Sequence, residues 1–517
     1  MSPLEPLFVA CALAPAALMS LVAIVCTLRN ADDARCWKLL LAAGALALAT
    51  TLATLLLHAF GQAPDSLLPG LTGSVFAAWV ALLVQALGTV IGAFSARYLD
   101  GERGQRRFVA TLAAILAAVH VLLLADHWLF LIAAWTLTGS ALQRLLCFYP
   151  ERAFALLAAH KKRIADRAAD LLLIVAAVAT YAETGSGSLS GLLDHVAAHG
   201  MSVTLEVGAV CMVLAVIVRT AALPVHGWLI QVMEAPTPVS ALLHAGVVNL
   251  GGFVLIRMSG LLDASALASG LLVAFGLGTA LLAGFVMLTR VSVKVRLAWS
   301  TVAQMGFMLL ECGLGLYQLA ALHLIGHSLY KAHAFLAASS VVRDTRRAML
   351  HTDAAPSPAT LCVAPLLAFA AVVLVQAAAG STPWPWWWSA ILALAWAPML
   401  WLPAQGGAPA ARALAAFAMI AGLTTAALLG HLLPLGVGTV AREGAGVVAM
   451  AALAMMYAAL AVLQTRPRAW AAWRRWSYAG FYVDETYTRL TLRLWPTRWT
   501  PAGARAAWPR PSVDPVQ

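Results

Sequence analysis

About fifteen apolar runs recur along the chain, each near the ~20 residues a helix needs to cross the hydrocarbon core of a bilayer. They fall at roughly 6–28, 37–59, 74–96, 108–125, 127–148, 166–182, 204–223, 239–258, 265–289, 295–313, 316–341, 359–379, 386–403, 411–433 and 444–464. In lipid every backbone N–H and C=O has to be satisfied within the protein, and runs of this length do so as helices. The chain is therefore read as an all-α polytopic membrane protein of about 14–15 transmembrane helices. Only 11% of its residues are charged, against about 25% in a soluble domain. The first run, Pro6 to Leu28, lacks a basic leader and a small-residue cleavage site, so it is read as a retained span and not a signal peptide.

The formal net charge of +11 does not point to nucleic acid, because the basic residues gather in short loops between apolar runs. Loop 29–38 holds Arg29, Arg35 and Lys38. Loop 97–107 holds Arg97, Arg103, Arg106 and Arg107. Loop 149–167 holds Arg152, Lys161, Lys162, Arg163 and Arg167. Loop 290–296 holds Arg290, Lys294 and Arg296, and loop 342–358 holds Arg343, Arg346 and Arg347. The loops between these are nearly free of Lys and Arg. The positive-inside rule makes the basic loops cytoplasmic, the N-terminus outside and the tail after the last span inside. The seven cysteines are scattered without a CxxC pair, which indicates neither an iron–sulfur nor a zinc site. There is no P-loop, no strand-linked GxGxxG and no HExxH.

Two further stretches have a composition of their own. The STPWPWWW run from Ser381 to Trp388 reads as an interfacial aromatic belt. The segment from Arg466 to Trp499 mixes Arg474, Arg475, Arg489 and Arg493 with Trp470, Trp473, Trp476, Tyr482 and Trp495. It reads as an amphipathic interfacial tail with the chemistry to dock a cytoplasmic partner. From Thr500 on, the chain is rich in Pro and Ala and is read as disordered.

The segment Arg219 to Arg257 is where helix regularity fails. Pro224, Pro236 and Pro238 interrupt it, and Arg219, His226, Glu234, His244 and Asn249 lie in or beside it. Broken helices and ionisable groups are tolerated at membrane depth only where they face protein or water, so such a stretch marks an ion or proton path. A second cluster follows: His323, His327 and Lys331 stand at i, i+4 and i+8 and form one stripe on a helix. Imidazole both donates and accepts a proton near neutral pH, and a buried lysine gives up its proton readily. The stripe is read as a relay; the alternative is a purely structural polar seam. His333 is off the stripe.

These residues carry a family resemblance. MEAPTPVSALLHAG resembles the MEGPTPVSALIHA signature of the antiporter-like membrane subunits of respiratory complex I, Mrp cation/proton antiporters, membrane hydrogenases and inorganic-carbon accumulation complexes. LHLIGHSLYKAHAF resembles that family's HLxxHxxxKxxLF, VSVKVRLAWSTVAQMG its TDIKRVLAYSTxSQxG, and RAAD its RVGD. The resemblance runs from about residue 75 to 345 and places His323, His327, Lys331, His244, Lys294 and Asp170 on the family's titratable positions. It implies an antiporter-like fold of two inverted five-helix repeats with broken helices. The corresponding parts are N-terminal helices over 1–96, repeats over 97–258 and 259–405, C-terminal helices over 406–465 and a tail over 466–517.

Departures from the pattern matter. The family's first-repeat glutamate after a tryptophan is here Thr136, its lysine before the LP break is Arg219, and no Lys or His occurs from Ala359 to Trp401. Arginine does not release its proton in a protein, so Arg219 is read as a fixed charge acting on Asp170 or His244. Glu234 has two readings, a switch carboxylate or a cap for the helix after Pro238. The end YAGFYVDETYTRL (Tyr478 to Leu490) most resembles the inorganic-carbon branch. That branch implies a bacterial inner-membrane subunit that conducts protons or sodium and is not itself an enzyme. It implies no cofactor in this chain and a large soluble zinc-bearing partner, related to β-carbonic anhydrases, on the cytoplasmic face. The alternatives are a subunit of a complex I, hydrogenase or Mrp assembly, a non-conducting anchor, or a stand-alone solute transporter.

Overall fold

The computed structural model describes residues 4–28, 32–61, 64, 66–338, 356–402, 409–466 and 470–497. The helices follow one another along the chain in three groups. The first group is α1 (Glu5–Thr27), α2 (Asp33–Ala59), α3 (Val75–Tyr98), α4 (Gln105–Leu124), α5 (Trp128–Leu146), α6 (Ala153–Thr184) and α7 (Leu189–His199). The central group is α8 (Val203–Arg219), α9 (Gly227–Ile230), α10 (Thr237–Ala245), α11 (Leu250–Arg257), α12 (Ser259–Ala264), α13 (Ala266–Leu288), α14 (Val293–Gly313) and α15 (Tyr317–Leu336). Then follow α16 (Pro358–Ala379), α17 (Trp386–Trp396), α18 (Pro409–His431), α19 (Glu443–Thr465), α20 (Ala471–Tyr478) and α21 (Val483–Leu494).

Each of the fifteen apolar runs coincides with helix. Among the described residues ten helical segments are long and apolar enough to cross a membrane. The helices that fall short are informative, because α6, α14 and α15 are long enough but carry the charged and polar side chains described below. α13 and α14 approach most closely. A Cβ on Gly276 would lie 2.5 Å from the Leu310 backbone nitrogen, and one on Gly306 2.6 Å from that of Ala280. Small residues permit such backbone contact, and dispersion between the helices then holds them in lipid, where hydrophobic burial gives little.

Three expectations change. First, the basic segment 149–167 is not a loop. α6 starts at Ala153, runs 32 residues and buries Lys161 and Lys162 at 0% and 3% exposure. Ala, Leu, Lys and Arg are all strong helix formers, whereas hydropathy counts the lysines as solvent-seeking. Second, the run 239–258 is interrupted: a 3-10 turn at Val247–Asn249 separates α10 from α11. Gly246, Gly251 and Gly252 weaken the helix there, and Asn249 Nδ2 donates to Ala245 O at 2.9 Å, satisfying a carbonyl at the break. Third, Trp384, Trp387 and Trp388 are not a surface belt. They are buried, and their indole nitrogens at Trp384 and Trp387 donate to Ser389 Oγ and Glu443 Oε2. A large ring whose N–H finds a partner is stable inside; of the tryptophans of that run only Trp386 is exposed.

The tail is helical and amphipathic as its composition suggests. Between α20 and α21, Gly480, Phe481 and Tyr482 have φ of 65°, 54° and 55°. This is a single left-handed turn, which costs non-glycine residues about 1–2 kcal/mol each. Phe481 packs edge-on against Trp473, with ring centroids 5.0 Å apart. The stretch from Thr500 on and the predicted-loop residues Arg29, Arg343, Arg346 and Arg347 lie outside the described residues.

Candidate functional site

The stripe on α15 holds. His323 and His327 meet with ring centroids 5.9 Å apart. His327 is 6% exposed, and Lys331, one turn further, is 0% exposed. Lys331 Nζ donates to Leu297 O at 3.0 Å and to Ser300 Oγ, both on α14. At the other end, His323 Nδ1 lies 2.7 Å from Glu311 Oε2, also on α14. Glu311 is 3% exposed. Titratable groups enter this apolar core as one line: Glu311, His323, His327, Lys331.

The broken helix meets that line from the other side. His244 in α10 is fully buried, with its ring stacked on Phe335 at 4.5 Å and 12°. It is an electrostatic neighbour of both Lys331 and His327. Asn249, in the turn that interrupts the helix, donates to Ser328 Oγ on α15 at 2.7 Å. Among the described residues neither ring nitrogen of His244 or His327 has a hydrogen-bond partner. Buried polar atoms are nearly always hydrogen-bonded, and imidazoles left open beside a lysine suit proton exchange through water.

A separate ionic cluster forms on α5, α6 and α8. Arg219 forms a short hydrogen-bonded ion pair with Asp170, donates to Trp135 O at 3.0 Å and stacks over the Trp135 ring at 4.8 Å. Thr136 Oγ1 donates to Asp170 Oδ1 at 2.7 Å, and Arg167 reaches Asp170 Oδ2 at 3.5 Å. The fixed charge of Arg219 thus acts on Asp170. Just past it the backbone turns at Ala221, with φ 55°, and Leu223–Pro224 is cis. His226 lies in this break, fully buried against Trp299 at 4.8 Å.

Lys294 and Glu234 sit apart from the buried line. Lys294 Nζ donates to Thr237 Oγ1 at 2.9 Å, and Thr237 contacts Tyr98 Oη at 3.3 Å. Glu234 faces Arg152 at 3.8 Å with its side chain 41% exposed. α10 is N-capped by Pro236 without a side-chain hydrogen bond, so Glu234 does not cap it.

Two groups escape a reading of the sequence. Glu311 is a lone acid in LLECG, and its partner His323 is on the next helix. Lys162 looks like one more loop cation, but it forms a short ion pair with Asp166 and lies 5.1 Å over the Trp228 ring. For Glu311 a usable signal exists, because a single carboxylate in an otherwise apolar span marks a functional position.

The profile of the transmembrane family described as "NADH:quinone oxidoreductase/Mrp antiporter, TM" matches residues 125–402, which include every group above from Thr136 to Lys331. The chain is 39% identical over 430 residues to the "Probable inorganic carbon transporter subunit DabB" of Hydrogenovibrio crunogenus, a match covering 78% of this chain and 79% of that one. It is 47% identical over 270 residues to "Probable inorganic carbon transporter subunit DabB2" of Halothiobacillus neapolitanus, covering 52% of this chain and 49% of that one. In structure it resembles a chain of the Mrp complex from Dietzia sp., with a TM-score of 0.58, 22% identity, and coverage of 99% of this chain and 64% of that one. That last likeness is one of fold.

Proposed function

The chain belongs to the NADH:quinone oxidoreductase/Mrp antiporter transmembrane family, and from that membership we propose that it is the cation-conducting membrane subunit of an inorganic-carbon transporter. The observation that carries the reading is the line of titratable groups from Glu311 through His323 and His327 to Lys331, flanked by His244. An antiporter-like subunit moves charge through lipid, and a line of exchangeable groups spaced about one turn apart is what such movement needs. The likeness to two inorganic-carbon transporter subunits supports the substrate class.

With the basic loops on the cytoplasmic side, the N-terminus is outside. The line then starts near the outer side at Glu311 and leads inward to Lys331, while Lys294 and Glu234 sit at the cytoplasmic end. His244 and His327 exchange protons through water, Asp170 is held by Arg219, and the driving cation is a proton or sodium. The chemistry of converting CO2 to bicarbonate belongs to a soluble zinc-bearing partner at the cytoplasmic face.

The test co-expresses the chain with its soluble partner in cells that depend on accumulated inorganic carbon and follows labelled bicarbonate. Uptake that collapses with an uncoupler and with Lys331→Met, at unchanged membrane abundance, is the expected result. Uptake indifferent to both overturns the reading. Co-purification with iron–sulfur or flavin proteins, in place of a zinc-bearing subunit, moves the chain to the respiratory or hydrogenase branch.

A further inference from the structure

The ionic cluster on α5, α6 and α8 poses a problem. Asp170 is bound by Arg219, Arg167 and Thr136. At the foot of the broken helix the cation is thus an arginine, which does not carry protons, and its carboxylate is already engaged by three donors.

One turn along α6 stands a second pair of a different kind. Lys162 is 3% exposed and hydrogen-bonds Asp166 at i+4. The Asp166 carboxylate occupies room left by Gly139 on α5, where a Cβ would come within 2.8 Å of Oδ2. Gly139 is three residues past Thr136, so α5 presents its hydroxyl to Asp170 and its bare backbone to Asp166. Lys162 Nζ also faces the Trp228 ring on α9, at 5.1 Å. The pair therefore touches the segment that follows the break. The charged and titratable groups around it are Arg219 on α8, Asp170 on α6 and, toward Asp166, Tyr487 on α21. Lys161, next in the chain, is taken up by Asp484 of α21 at 2.7 Å.

We propose that Lys162 and Asp166 are a proton-exchange pair of this half of the protein, and that Arg219 and Asp170 are the fixed charges positioning it. This deepens the conduction reading and rests on it. In the exchange the Lys162 N–H bond breaks and the proton passes to Asp166 Oδ2, leaving a neutral amine and a neutral acid. The acid then releases the proton to water and the amine takes up another, so the pair returns to its charged form with one proton moved. The Arg219 guanidinium beside it does not take part in the exchange. A lysine is able to run this cycle and an arginine is not.

The experiment uses the full chain with its soluble partner, reading uncoupler-sensitive bicarbonate uptake against external pH and membrane abundance by immunoblot. Lys162→Arg keeps the ion pair but removes the exchangeable proton. The double variant K162Q/D166N removes both charges while keeping shape and hydrogen bonding, so it folds where a single neutralisation strands a buried ion. Both are expected to lower uptake at least about tenfold, since a positioned proton-transfer group contributes about 10²–10⁴-fold. Wild-type uptake and pH profile in Lys162→Arg, or in K162Q/D166N, overturn the proposal and leave a structural ion pair. Lys331→Met run alongside separates the two levels. If it abolishes uptake while K162R does not, only the present inference falls; if it too retains uptake, the conduction reading falls.

Discussion

His323 Nδ1 and Glu311 Oε2 stand 2.7 Å apart across the α14–α15 interface, and the Glu311 carboxylate is 3% exposed. The pair closes one end of the buried line, as Lys331 with Ser300 closes the other.

Glu311→Gln keeps the hydrogen bond to His323 and removes the charge. The variant is expected to insert normally and to lose bicarbonate uptake by at least about tenfold, with the remaining uptake shifted along the pH axis. Uptake at the wild-type rate across the pH range counts against a place for Glu311 in the line.

Lys331 is fully buried and donates to Ser300 and Leu297 O. Lys331→Arg preserves the positive charge but not the exchangeable proton. Proton-driven uptake is expected to be lost as completely as in Lys331→Met, and the chain is expected to stay at wild-type abundance in the membrane. An active Lys331→Arg variant would make the residue a charge and not a carrier.

Asp484 holds Lys161 at 2.7 Å and accepts from Gln231 Nε2 at 3.3 Å, with Thr488 adding a 3.0 Å bond to the lysine. Breaking a buried pair from one side strands the other charge and costs about 3–5 kcal/mol. Asp484→Ala is expected to lower the unfolding midpoint of the detergent-purified chain measurably. The double variant K161M/D484L is expected to recover most of it. An unchanged midpoint in Asp484→Ala shows that the tail does not brace the core.

Gly306→Leu tests the closest helix contact. Its Cβ would sit 2.6 Å from the Ala280 nitrogen, so α13 and α14 have to separate. Overpacking of this kind costs about 1–3 kcal/mol or more. Reduced membrane abundance and a lowered unfolding midpoint are the expected readouts, and a wild-type midpoint contradicts the packing.

Much of this was legible from residue type and spacing. The fifteen runs announce themselves because a bilayer demands length and apolarity together. The His323, His327, Lys331 stripe does so because 3.6-residue periodicity sets four-residue steps on one face. Where reading fails, the cause lies in tertiary partners. Lys162 reads as a loop cation until Asp166 and Trp228 are seen to enclose it. Glu311 reads as an isolated acid until α15 supplies His323. The break at Asn249 has no proline to announce it, and the tryptophans at 384 and 387 look interfacial until their indole nitrogens find acceptors inside. The pairing of Arg219 with Asp170 joins residues 49 apart, beyond any local rule.

The tie between Lys161 and Asp484 spans 323 residues. A ribosome makes the lysine long before its partner. Until the strained left-handed turn at Gly480–Tyr482 has formed and α21 has docked, a helix already in the membrane carries an uncompensated ammonium. The fit of α21 is thus registered chemically on α6, in the first half of the protein. A variant that cannot dock α21 leaves that charge unmet, so the tail is a required partner of the membrane core and not an appendage to it.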